Sequence, residues 1–224
     1  MKRVLSLSLT AAAVAFVTVT TFAQAPKAAP QAPAAKPAAP AAQAATSPVP
    51  AGAWTIDPAH SAANFAVKHM MVSTVRGVLG PVTGSIVWDG KSIASVSADV
   101  TIDVKKISTG VEQRDGHLRG DDFFNAEKFP VMKFKSKKVI AGAAGAFKLV
   151  GDLTIRDVTK EVTLDVEAPA AIVTAQGVQR TATTATTTIN RLDYNLKWNQ
   201  LMETGGAVVG ADVKVTLDLE VTRK

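Results

Sequence analysis

The chain has 224 residues, no cysteine and a formal charge of +6. The missing cysteines exclude disulfides, thiolate metal centres, a cysteine nucleophile and lipid attachment through an N-terminal cysteine. Lys2, Arg3, Lys27 and Lys36 carry four of the excess charges, so the remainder is near neutral and lacks the basic patch that nucleic-acid binding requires.

Residues 1–23 read as a secretory signal peptide, with Lys2 and Arg3 at the start, an apolar run from Val4 to Val19, and small residues at Ala23 and Ala25. The run falls short of the roughly 20 residues a bilayer core needs, so no stable membrane span is expected. Residues 24–53 are almost wholly Ala and Pro. Such a segment buries too little apolar surface to offset its ordering entropy and is expected to be a disordered spacer. Export to the periplasm follows, with one folded domain over 54–224.

From Trp54 onward the apolar residues alternate. Strands are expected near 64–69, 75–79 and 84–88, the last ending at Asp89-Gly90. Val96, Ala98, Val100 and Ile102 then face one way while Ser97, Asp99, Thr101 and Asp103 face the other, the signature of a half-buried strand. Thr109 to Asn125 breaks the pattern: Glu112 to Arg119 suggests about two turns of helix. Further strands are expected near 131–138, 147–155, 161–167 and 181–189. A last strand carries Val213, Val215, Leu217, Leu219 and Val221 on one face. About eight antiparallel strands joined by short turns hide their edges and apolar face most simply by closing on themselves. The expected class is all-β, an extended antiparallel barrel with a short helical insertion.

Several strings are familiar in order. Trp54-Thr-Ile-Asp-Pro-Ala-His60-Ser61 is followed by Phe65-Ala-Val-Lys-His69-Met70, Ile107-Ser-Thr-Gly110, Arg114-Asp115, His117-Leu-Arg119, Asp122-Phe-Phe124, Gly151-Asp-Leu-Thr-Ile155 and Asn190-Arg-Leu-Asp-Tyr194. Together they resemble the YceI-like family of periplasmic, lipocalin-like proteins across nearly the whole domain. The resemblance implies a barrel channel holding a polyisoprenoid or similar amphiphilic lipid, an isoprenoid quinone included, with no other cofactor. Gly120, Asn125 and the run Leu79-Gly80-Pro81-Val82 depart from the family pattern and put the shape of the channel mouth in doubt.

For such a ligand, the inward positions Phe65, Val67, Val75, Val100, Ile102, Met132, Phe134, Leu153, Ile155 and Leu164 are candidate lining, and each serves equally well as plain core packing. Arg114, Asp115, His117, Arg119 and Asp122, beside Phe123, have two readings: donors to a polar head group at the channel mouth, or ion pairs that fix the insertion. Arg191 is expected to pair with a carboxylate near Trp198. His60, His69 and His117 lack metal-ligand spacing, so no metal site is expected. No nucleophile elbow, phosphate loop or zinc-protease helix is present. The favoured reading is a non-catalytic carrier. Two alternatives remain: an enzyme on a lipid or quinone in which Asp115, its pKa raised by burial, works with His117, and a filled barrel acting through protein partners. A homodimer is compatible with the sequence, which supplies no argument for one.

Overall fold

The computed structural model describes residues 53–203 and 205–224; the signal peptide, and all of the spacer except Ala53, lie outside them. Eleven strands form one antiparallel sheet: β1 Trp54–Ile56, β2 Ala62–His69, β3 Ser73–Gly80, β4 Val82–Val87, β5 Ser97–Asp103, β6 Val131–Ala141, β7 Phe147–Ile155, β8 Val158–Val166, β9 Val173–Ala175, β10 Val178–Asn190 and β11 Val209–Arg223. The single α-helix among the described residues, α1, spans Glu112–Arg119 within the insertion.

Eleven strands fill eight wall positions. β1 and β2 both pair with β11, at Val221–Thr222 and along Val209–Asp218 respectively, and so occupy one position. β3, beside β2, runs into β4, beside β1, through Gly80-Pro81. That corner requires glycine, because a Cβ on Gly80 would stand 1.9 Å from the Asp103 carbonyl oxygen. β10 then closes the barrel against β11 from Gln179↔Arg223 to Asn190↔Asp212. β9 pairs beside the first residues of β10, Val178 to Arg180, while β8 pairs with β10 further on at Ala185 and Thr186, so β8 and β9 share one position. Closure leaves few backbone edges to protect.

Alternation sets the core. β7 buries Phe147, Leu149, Gly151, Leu153 and Ile155, and β11 buries Val215, Leu217, Leu219 and Val221. These residues join one contiguous apolar cluster that also takes Phe123 and Phe124 from the insertion. The expected strands are all present. β1 and β9 were not anticipated: each has three residues, too few for alternation to register.

Candidate ligand-binding channel

The barrel has two unlike ends. At one, the chain enters at Trp54 and the loops after β4, β6 and β8 turn back. At the other sit the insertion, the β7–β8 turn and the segment between β10 and β11.

Three charged side chains fasten the insertion end, and each bonds chiefly to the chain itself. Asp115, only 4% exposed, accepts hydrogen bonds from the Thr109 backbone N–H at 2.8 Å, the Thr109 hydroxyl, and the Ser108 hydroxyl at 3.3 Å. Burial acts to raise its carboxyl pKa, but the Thr109 and Ser108 bonds and the Arg114 charge outweigh it and hold the group below the ordinary 3.8. Arg156 donates to the carbonyls of Asp121 and Phe123, both at 3.1 Å, and of Asn195 at 3.3 Å. Arg191, also 4% exposed, donates to the carbonyls of Gly210 (2.9 Å), Trp198 (2.9 Å), Val209 (3.1 Å) and Leu196. The expectation of a carboxylate partner for Arg191 is therefore corrected: a loop that leaves carbonyls facing inward needs donors, and a guanidinium supplies five.

The charged residues of α1 follow the same rule. Arg114 donates to Thr109, Arg119 to Glu112 at 2.8 Å, and His117 Nε2 lies 2.9 Å from Asp122 Oδ2. The His117 ring meets Phe123 and Trp198 edge-on, each with centroids 5.0 Å apart. Asp115 and His117 make no bond to each other, and the Asp115 carboxyl is lowered rather than raised. The acid–base pair of the enzyme reading is thus not assembled.

The interior away from this end is not filled. A cavity of about 60 Å³ lies toward the chain-entry end and a second, deeper one of about 30 Å³ beyond it, against the roughly 10–15 Å³ that one water needs. The wider lobe is bounded by Ile86, Trp88, Val96, Ala98, Phe147, Leu149, Val166, Pro169, Leu219 and Val221. The narrower is bounded by Ile102, Met132, Leu153, Val162 and Val215. Val100, Phe134, Leu164 and Leu217 belong to both and form the waist between them.

Side-chain size explains the space. β10 presents Thr181, Thr183, Ala185 and Thr187 to the lobes, where facing strands present Phe134, Phe147 and leucines. Gly151 adds to it: a Cβ there would come within 2.6 Å of the Phe134 ring, so glycine lets the ring lie flat against the wall. Small residues on one wall opposite large ones on another leave a gap that repacking cannot close in a rigid barrel.

Of the proposed lining residues, Val100, Ile102, Met132, Phe134, Leu153 and Leu164 bound the lobes. Phe65 and Ile155 are core residues and Val67 packs against that core, while Val75 is half-buried on β3. Arg114, His117, Arg119 and Phe123 bound neither lobe. Of the wider lobe the sequence reading named only Val100, Phe134 and Leu164, because the rest of its walls are aliphatics, threonines, a phenylalanine and a tryptophan with no short motif. Its legible signals were the period-two patterns of Val96, Ala98 and Val100 and of Leu217, Leu219 and Val221.

A second cluster also escaped notice. His60 Nδ1 lies 3.0 Å from Asp57 Oδ2, and Arg180 Nη1 lies 2.7 Å from Glu220 Oε1 and 3.3 Å from Asp57 Oδ2. Asp57, His60 and Glu220 stand close enough to hold an ion, but the Arg180 guanidinium already pairs with both carboxylates. The Asp57 hydrogen bond and the charges of Asp57 and Glu220 raise the His60 pKa above 6.5. Arg180 and Glu220 come from neighbouring positions on β10 and β11, 40 residues apart in sequence, which no local spacing reveals.

A closed antiparallel barrel of eight wall positions with an unfilled apolar interior and one short helix belongs to the lipocalin-like class. Residues 54–221 match the YceI-like domain, and the chain belongs to that family. A UPF0312 protein of Staphylococcus aureus (strain N315) is 38% identical over 168 residues, covering 75% of this chain and 95% of that protein. The Campylobacter jejuni YCEI protein superposes with a TM-score of 0.60 at 29% identity over 70% of this chain and 90% of that one. Burkholderia cenocepacia BcnA gives 0.62 at 22%, over 74% and 98%. A polyisoprenoid binding domain from Saccharophagus degradans gives 0.55 at 18%, over 76% and 98%.

Proposed function

We propose that this protein is a non-catalytic periplasmic carrier that encloses the apolar chain of a polyisoprenoid or related amphiphilic lipid in the barrel. The observation that carries the reading is the pair of apolar lobes meeting at the Val100, Phe134, Leu164 and Leu217 waist. Polyisoprenoid binding by the Saccharophagus degradans neighbour supports the ligand class, and the signal-like start of the chain supports the compartment.

The physics suffices without catalysis. Enclosing on the order of 400 Å² of apolar chain at about 25 cal/mol per Å² yields roughly 10 kcal/mol before association costs. The lobes at rest are smaller than such a chain, so loading requires the Phe134 ring to leave its place over Gly151 and join them.

Native mass spectrometry of protein purified from a bacterial periplasm without detergent, followed by solvent extraction, tests the proposal. A stoichiometric co-purifying isoprenoid is the expected result. Protein that arrives empty and takes up no added isoprenoid refutes it.

A further inference from the structure

The wall between β8 and β10 is paired far less than the walls on either side of it. β8 stays in register with β7 from Phe147↔Val166 to Ile155↔Val158, and β10 with β11 from Gln179↔Arg223 to Asn190↔Asp212. Between β8 and β10 the register holds only at Val166↔Ala185 and Asp165↔Thr186. Toward the chain-entry end the wall goes on, since the Glu167 and Ala170 N–H groups donate to the Thr184 and Ala182 carbonyls. Toward the insertion end the ladder stops, leaving residues 161–164 of β8 opposite 187–190 of β10 without strand pairing. Below this stretch, Lys160 Nζ lies 3.3 Å from Asp193 Oδ1 in the turn after β10. The break is therefore a framed window about four residues, or roughly 13 Å, tall.

The window lies against the narrower lobe. Val162 and Leu164 on one side and Thr187 on the other bound that lobe. Val162 and Thr187 are only half-buried, whereas Ile102, Met132, Leu153 and Val215, which bound the same lobe from paired walls, are buried. Backbone groups that no neighbouring strand satisfies turn to water, so parting these strands further breaks no ladder bond. Both other routes are obstructed: the insertion end is fastened by Asp115, Arg156 and Arg191, and from the chain-entry end the narrower lobe lies beyond the waist.

Resting on the carrier reading, we infer that the apolar chain enters and leaves the barrel sideways, through the window between β8 and β10. A chain end entering between Val162 and Thr187 reaches the narrower lobe without first passing the waist. The polar head stays outside and is never drawn through the apolar lobes, which would strip it of water.

The test locks the window in the intact protein, whose lack of cysteine makes a placed pair unambiguous. Thr163 and Thr188 are exposed, and continuing the Asp165↔Thr186 register sets them opposite each other. Thr163→Cys with Thr188→Cys is bridged by 1,2-ethanediyl bismethanethiosulfonate, because no ladder holds the two strands at disulfide distance there. Thr154→Cys with Thr159→Cys, on the fully paired β7–β8 wall, is bridged in the same way as control. All-trans-retinol is the probe, its uptake and release followed by energy transfer from tryptophan in stopped flow. Bridging the window should slow uptake and release alike, by about 10-fold or more, with affinity unchanged, and reductant should restore both rates. Bridging the control pair should change neither. Unslowed exchange in the locked protein, equal slowing by the control bridge, or slowed uptake with unslowed release overturns the inference and leaves the carrier standing. Wild type that takes up no retinol overturns the carrier and the inference together.

Discussion

The two ends of this barrel invert the usual expectation about where function lies. The insertion end is rich in Arg, Asp and His, yet Arg156 and Arg191 bond mainly to backbone carbonyls and Asp115 to the Thr109 N–H and the Thr109 and Ser108 hydroxyls, and together they close it. The chain-entry end carries the string from Trp54 to Ser61 but no comparable run of charged residues, yet it holds the larger of the two unfilled spaces. Charge at a loop-covered barrel end thus supplies donors and acceptors for irregular backbone, whereas enclosing a lipid asks only for small side chains opposite large ones. The contrast can be broken by substitutions at either end.

Arg191→Met should have the largest effect. It strands the carbonyls of Leu196, Trp198, Val209 and Gly210, so urea unfolding should show a loss of about 3–5 kcal/mol. An unchanged midpoint would mean the loop does not need this donor. Ala185→Phe, which fills the wider lobe, should cost about 1–3 kcal/mol through overpacking while abolishing lipid retention in extracts.

Asp115→Asn removes the charge that Thr109 and Ser108 solvate and should cost about 1–2 kcal/mol at neutral pH with cargo retained. Because the folded-state pKa of Asp115 lies below 3.8, its contribution is present above that value and fades as pH falls through the lowered pKa. The gap between wild type and Asp115→Asn should accordingly narrow in acid. His60→Gln should give the smallest change, visible only as a pH dependence of the melting temperature. His60 has a raised pKa, so its stabilisation is full below about 6.5 and is lost as pH rises through the folded value. A wild-type advantage that grows with pH would contradict this.

Alternation over five or more residues made the long strands readable, and ordered motifs made the family resemblance readable. β1 and the Gly80-Pro81 corner were not, because pairing three-residue β1 and the longer β2 to one partner at different heights of β11 is a tertiary choice. Arg114 and Asp115 were legible as important but not as to their role, since a sequence does not show whether a charged side chain meets a ligand or the Thr109 backbone. The lobes were least legible of all: they arise from where Thr183 and Ala185 of β10 stand across the barrel from Phe147 and Leu149.

The most direct test compares cargo in Ala185→Phe and His117→Ala, both purified from the periplasm without detergent and weighed by native mass spectrometry. The account predicts that His117→Ala carries its lipid at the wild-type stoichiometry and Ala185→Phe arrives empty. Lipid retained by Ala185→Phe and lost from His117→Ala would place the ligand at the insertion end and contradict it.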